Sequence, residues 1–243
     1  MRYLILADVH SNLEALGAVL DDAGRVDAAL CLGDLVGYGP DPNACVQRVR
    51  ALPDLSCVAG NHDLAAVGGY DVSWFNSHAR EAVLWTQQQL TAENRDFLAH
   101  LPLTRTLGPF TLVHGTLPEP MEYLSSQWEA RATFQEMSTP LCLVGHTHIA
   151  EAYTQANGVI MPQHQALLDG GEIKLAARDR YIVNCGGLGQ PRDGNPRAAY
   201  GLYDSRRRVL SVRRVEYDIP AVQDKMRRAG LPPMLSDRLT HGR

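Results

Sequence analysis

The chain has 243 residues, 45% apolar and 21% charged, with a formal net charge of -4, a composition that fits one globular domain (1–243) and excludes a disordered or collagen-like chain. The acidic balance gives no overall attraction to nucleic acid or anionic membrane, and no apolar run approaches the roughly 18 to 20 residues of a membrane span. Five cysteines, odd in number and without a C-x-x-C pair, argue against a disulfide framework or a zinc knuckle. With Asp8 and His10 interrupting the short apolar start before a signal-peptide core forms, a cytoplasmic protein with buried thiols is expected.

In chain order, Arg2 to Ala7 reads as a short buried strand. A helix follows from about Leu13, opened by a Ser11/Glu14 capping box and ended at Gly24. Ala28 to Leu32 is predicted as a strand, Asn43 to Arg50 as a helix and Leu55 to Val58 as a strand, so the first part alternates as a largely parallel sheet covered by helices does. Ser73 to Leu90 and Ala92 to Leu98 read as helices, with Trp74, His78 and Trp85 on one face, a stripe that fits core packing best. Thr104 to Leu107 and Phe110 to Val113 flank Gly108-Pro109 as a hairpin, and Leu141 to Val144 is a buried strand. Beyond Ile149 short strands dominate, among them Tyr181 to Val183, Ala198 to Tyr203 and Val209 to Val215. These build a second, mixed sheet. A last helix from Ala221 to Arg228 ends at Gly230, and the tail after Leu231 is expected to be loose.

Five segments carry acidic, amide or imidazole groups just after a predicted strand: Asp8-Val9-His10, Gly33-Asp34, Gly60-Asn61-His62-Asp63, His114-Gly115 and Gly145-His146-Thr147-His148. Loops at the carboxyl ends of strands converge on one crevice in open α/β sheets, so these groups can meet there. Singly, a D-x-H or an H-x-H is a capping or hydrogen-bonded pair; five in order are a metal-ligand set. Imidazole and carboxylate donors without thiolates suit Mn, Fe, Ni or Zn better than Mg alone.

The five motifs resemble those of the calcineurin-like metallophosphoesterase superfamily, and the Gly189-Gln190-Pro191-Arg192-Asp193-Gly194 run is similar to a glycine-rich segment of its small bacterial members. The resemblance implies a four-layered αββα sandwich of two mixed sheets flanked by helices. It also implies two divalent ions, one held by Asp8, His10, Asp34 and His148, the other by Asp34, Asn61, His114 and His146. The corresponding activity is metal-dependent hydrolysis of a small phosphoester, a nucleotide being one candidate: phosphodiesters first, phosphomonoesters also. A hydroxide between the ions would be the nucleophile, and His62 the catalytic histidine that protonates the leaving oxygen. Its neighbour Asp63 is placed to accept the His62 ring N–H and fix its tautomer. A non-catalytic interaction scaffold on the same fold, or a nuclease, is the alternative; the pattern leaves a homo-oligomer open.

Weaker candidates for substrate contact are Asn12, equally suited to cap the first helix, Tyr38 at the cleft entrance, and Arg192 as a phosphate contact. Residues 205–243 hold nine arginines and Lys225 against four acids. This basic segment is read as protecting an edge strand from pairing with other chains rather than as a nucleic-acid surface.

Overall fold

The computed structural model describes residues Met1–Arg243. Twelve strands form two six-stranded mixed sheets. The first contains β1 (Arg2–Leu6), β2 (Ala28–Cys31) and β3 (Leu55–Cys57), joined by helices α1 (Leu13–Ala23) and α2 (Pro42–Arg50). A short α3 (Asn61–Ala66) follows, then α4 (Ser77–Gln89) and α5 (Ala92–Ala99). The second sheet opens with the hairpin β4 (Thr104–Leu107) and β5 (Phe110–Val113). It continues through α6 (Gln127–Glu136) to β6 (Leu141–Val144), β7 (Ala150–Gln155) and β8 (Gln163–Ala166). Strand β9 (Gly171–Lys174) returns to the first sheet, β10 (Arg180–Cys185) to the second, and β11 (Ala198–Asp204) and β12 (Val209–Val215) close the first. Helices α7 (Ile219–Arg228) and α8 (Pro233–Asp237) end the chain. The strand orders are β3-β2-β1-β11-β12-β9 and β4-β5-β6-β10-β7-β8.

Strand alternation builds the four layers. Ile5 and Ala7 face Leu112, Leu143 and Val183 of the second sheet in the core between the sheets. Leu4 and Leu6, on the other face, pack under α1, α2 and α7 through Leu16, Val46 and Met226. The outer face of the second sheet presents Val113, Val144 and Ile182 to Ala130 and Phe134 of α6. The expected αββα sandwich is the fold observed. All five cysteines are free and buried, and no helix is long and apolar enough to cross a membrane.

Five expectations need correction. The strands expected at Ala198 to Tyr203 and Val209 to Val215 join the first sheet rather than the second, because β11 pairs with β1. The cap of α1 is Asn12, whose Oδ1 accepts the Ala15 N–H at 3.0 Å; Ser11 has a left-handed backbone (φ 54°) that takes it out of capping geometry, and Glu14 pairs with Lys225 instead. The 73–90 helix is broken. Asn76 caps a new start by accepting the Ala79 N–H, and Trp74 sits on a separate 3₁₀ turn with 80% of its surface exposed, while Trp85 packs on the core. The basic strand β12 is interior, paired with β11 on one side and β9 on the other. Its arginines are used within the molecule, Arg213 by Asp22 and the buried Arg214 by Asp193. The tail is ordered: Leu231, Leu235 and Leu239, four residues apart, are all buried in the core under the helices. Each such leucine contributes about 1.5–3 kcal/mol of burial, enough to hold a thirteen-residue arm that would otherwise stay open.

Candidate metal centre

The five motifs converge where the carboxyl ends of β1, β2, β5 and β6 meet the start of α3. The first sheet supplies Asp8, His10, Asp34 and Asn61, the second His114, His146 and His148. Each of these residues is at most 8% exposed. Asp8, His10, Asp34, His146 and His148 all have positive φ, between 46° and 69°. Non-glycine residues held in this region cost of order 1–3 kcal/mol each, so the loops accept strain to aim these side chains inward.

Backbone carbonyls fix the imidazole tautomers. His10 Nδ1–H donates to Val36 O at 3.0 Å, His114 Nδ1–H to Leu32 O at 2.7 Å and His148 Nδ1–H to Gln190 O at 2.5 Å. His146 donates from Nε2 to Met121 O at 3.1 Å. A carbonyl only accepts, so each partner nitrogen carries the proton and the other nitrogen is a bare lone pair. These bare nitrogens face each other in two pairs, His10 Nε2 with His148 Nε2 at 3.1 Å and His114 Nε2 with His146 Nδ1 at 3.0 Å. Two lone pairs at that distance repel unless a proton or a metal ion lies against both.

The oxygens tell the same story. Asp8 Oδ2, Asp34 Oδ2 and Asn61 Oδ1 are buried and have no hydrogen-bond partner. The free Asp34 Oδ2 is 3.6 Å from His10 Nε2 and 3.3 Å from His114 Nε2, so one carboxylate oxygen faces a nitrogen of each pair. Two groups with metal-ligand spacing result, Asp8/His10/Asp34/His148 and Asp34/His114/His146, with Asp34 in both. Burial holds His10 and His148 well below the usual imidazole range, which keeps them neutral, the state a metal needs. At His114 burial also disfavours the charge, but the Asp34 and Asp8 carboxylates outweigh it and raise the group to about 9, so the same carboxylates that would draw a metal to Nε2 draw a proton there when no metal is bound. The residues therefore fit divalent cations.

His62 follows Asn61 at the head of α3 and lines the cleft. Its ring packs edge-on to His10 (4.8 Å between centroids), with Tyr38 at 4.4 Å and Phe75 at 4.7 Å, and its buried Nδ1 has no partner. Asp63 does not touch that ring. Its Oδ1 accepts the N–H groups of Leu35 (2.8 Å) and Val36 (3.2 Å), and its Oδ2 that of Gly60 (3.1 Å). It ties the Asp34 loop to α3, so its predicted role at the His62 ring is corrected to one of positioning. Gly60 is needed there because a Cβ would stand 2.0 Å from Asp34 Oδ1.

Above these groups opens a cleft of about 320 Å³ lined by, among others, Tyr38, Trp74, Phe75, Tyr123, Arg192 and Arg238. Tyr38 and Arg192 both line this cleft, joined by an Arg192 Nη2–Tyr38 Oη hydrogen bond of 3.2 Å. Asn12 does not line this cleft: one amide atom caps α1 and the other donates to Gly189 O at 2.9 Å. Sequence reasoning missed Tyr123, stacked on His146 with ring centroids 4.0 Å apart, Phe75, and Arg238. Only Arg238 left a readable signal, through the leucines that bury its helical turn.

The family model for the calcineurin-like phosphoesterase superfamily domain matches residues 1–208. The chain belongs to that superfamily. It is 44% identical to a metallophosphoesterase from Sphaerobacter thermophilus, whose crystal structure superposes with a TM-score of 0.88 over 100% of this chain and 99% of that one. An uncharacterised protein of Methanocaldococcus jannaschii is 37% identical over 98% of this chain and 97% of its own length. A symmetrical bis(5'-nucleosyl)-tetraphosphatase of Dechloromonas aromatica is 30% identical over 49% of this chain and 45% of its own. The superfamily is metal-dependent and its members are generally hydrolases of phosphoesters.

Proposed function

We propose that the protein is a dinuclear-metal phosphodiesterase that also accepts phosphomonoesters. The observation that carries this reading is the pair of facing bare imidazole nitrogens, each beside the same unpartnered Asp34 oxygen. Asp8, His10, Asp34 and His148 would hold one ion and Asp34, Asn61, His114 and His146 the other. When bound, such ions supply Lewis-acid charge to phosphoryl oxygens and make water acidic enough to attack at neutral pH. Two carboxylates against two divalent ions leave an excess of positive charge, which favours an anionic substrate.

The protein's own part is placement and proton delivery. Arg192, reaching over the Tyr38 ring at 5.5 Å, sets a fixed positive charge beside the ligands, where a phosphoryl oxygen gains most from it. His62 offers Nε2 to the leaving oxygen, its Nδ1 being walled in by Gly37. Burial brings the His62 ring down to about 4; it therefore takes its proton only with an anionic phosphoester beside it and passes it on as the ester bond breaks. The aromatic wall of Tyr123 and Trp74 suits a leaving group with a flat face. A nucleotide, the class acted on by the Dechloromonas protein, has one.

Purified protein assayed with Mn, Fe, Ni, Zn and Mg against mono- and diester substrates tests the reading. Diester hydrolysis with one or more of the first four ions is expected. Absence of hydrolysis with every ion and every ester would overturn it.

A further inference from the structure

Several arginines elsewhere in the molecule pair with acidic side chains, among them Arg50 with Glu93, Arg197 with Asp169, Arg213 with Asp22, Arg214 with Asp193 and Arg228 with Asp224, while Arg80, Arg95 and Arg180 donate to backbone carbonyls. The two that line the cleft have no acidic side chain as partner. Arg192 spends one nitrogen on Tyr38 Oη and Gln190 Oε1, and its Nε is buried without a partner. Arg238 donates Nε to the Arg243 main-chain oxygen, and its side chain lines the cleft. Two unneutralised cations beside one cavity repel each other, an arrangement that an anionic ligand relieves.

The two arginines stand at different depths. Arg192 is one ring from the metal ligands, since the Tyr38 it covers meets His10 at 4.6 Å and His62 at 4.4 Å. Arg238 borders both the cleft and a second hollow at its rim, shared with Asn76, His78, Met234 and Arg243. The arm that carries Arg238 is held firmly. Besides the buried leucines, Gly242 O accepts the Gly194 N–H at 2.9 Å, and a Cβ at Gly242 would stand 2.6 Å from the Asn195 backbone. The arm is thereby locked to the same loop that bears Arg192. Burial and the Arg192 charge both draw the Arg238 guanidinium below its ordinary range, in line with this proximity.

We propose that Arg238 is a specificity-determining residue that binds a second phosphoryl group, outward of the one at the metal ligands, so that the preferred substrate is a phosphoester bearing a further phosphate, as a nucleoside polyphosphate does. The assignment rests on the phosphoesterase reading for the inner phosphoryl group and adds to it the outer one. Arg192 serves the inner group.

The test is calorimetric titration of the full chain in saturating Mn with two non-hydrolysable ligands, inorganic phosphate and methylenediphosphonate. Wild type is expected to bind the diphosphonate about tenfold or more tightly than phosphate, as one charge-assisted contact gives. Arg238→Gln should erase that preference while leaving phosphate affinity within about twofold. Arg238→Lys should restore part of it, and Arg192→Gln should weaken both ligands. Equal weakening of both ligands in Arg238→Gln, or no weakening of either, would overturn the proposal. The melting point of each variant shows whether it is folded, and Arg238→Lys stands in if Arg238→Gln is not. Should wild type hydrolyse no phosphoester yet show the preference, the phosphoesterase reading falls and the outer anion site stands.

Discussion

The two sheets contribute unlike halves to the centre. The first brings both carboxylates, the Asn61 amide and one histidine; the second brings three histidines and no acid. Each half is oriented by the other. Asp8 Oδ1 accepts the backbone N–H of His146 at 3.1 Å, His114 donates to Leu32 O, and Asp193, in the loop after β10, takes Arg214 of β12 while accepting the Ala150 N–H of β7 at 3.1 Å. Anionic ligands are thus steadied by N–H donors and imidazoles by carbonyls, across the seam between the sheets. Cations bound there would join two layers that the apolar core already packs together.

The strongest way to break this arrangement is at the group both clusters share. Asp34→Asn is expected to abolish activity and to leave fewer than two tightly bound ions per chain, whereas His148→Ala should chiefly weaken one. Metal analysis of the folded variants decides, and two tight ions in Asp34→Asn would refute the bridge. His62→Asn sharpens the division between ligands and proton donor. It should keep both ions and lower kcat on a diester with a poor leaving group by about 10²- to 10⁴-fold, with a smaller loss on a p-nitrophenyl ester, which needs less protonation. A uniform loss across leaving groups would remove His62 from proton transfer.

Arg214→Ala tests the seam away from the metal. The side chains of Arg214 and Asp193 are both at most 1% exposed, so the variant strands a buried carboxylate and should cost about 3–5 kcal/mol, read by urea denaturation with the ions present. Chelation is expected to act more mildly. Losing one ion present at about a hundred times its dissociation constant removes about 2.7 kcal/mol, or roughly 5–10 °C of melting temperature for a chain of this size. The smallest effect belongs to the basic turn. Replacing Arg206, Arg207 and Arg208 should leave any RNA affinity and its salt dependence unchanged, and a salt-sensitive binding lost with them would restore the nucleic-acid surface.

Much of the centre was legible because its residues stand directly after short apolar strands, where sequence position and spatial position coincide. Asp8, Asp34, Asn61, His114, His146 and His148 needed no long-range information beyond the convergence of strand ends. Asp63 did, since an acid beside His62 in sequence points away from it once α3 begins, and its oxygens then find the amides of residues 35 and 36. Asn12 carried two readings, and the Gly189 carbonyl, 177 residues away, decided between them. The interior place of β12 depends on β9 crossing back from the stretch of chain that builds the second sheet. The ordered tail was available in principle: Leu231, Leu235 and Leu239 repeat at the helical spacing, but two prolines at 232 and 233 read more loudly than they did.

Strand β1 lies in the middle of its sheet. It gains β2 as a neighbour early, but its other side stays unpaired until β11, beginning at Ala198, has been made. During synthesis, then, the Asp8 loop is among the first segments to leave the ribosome and among the last to be fixed. A chain halted before Ala198 would hold all seven strand-end ligands, four of them on a sheet with an open edge, prone to pair with other chains. Completion of the stretch from Ala198 onward is what turns a cluster of acids and histidines into a centre of definite shape.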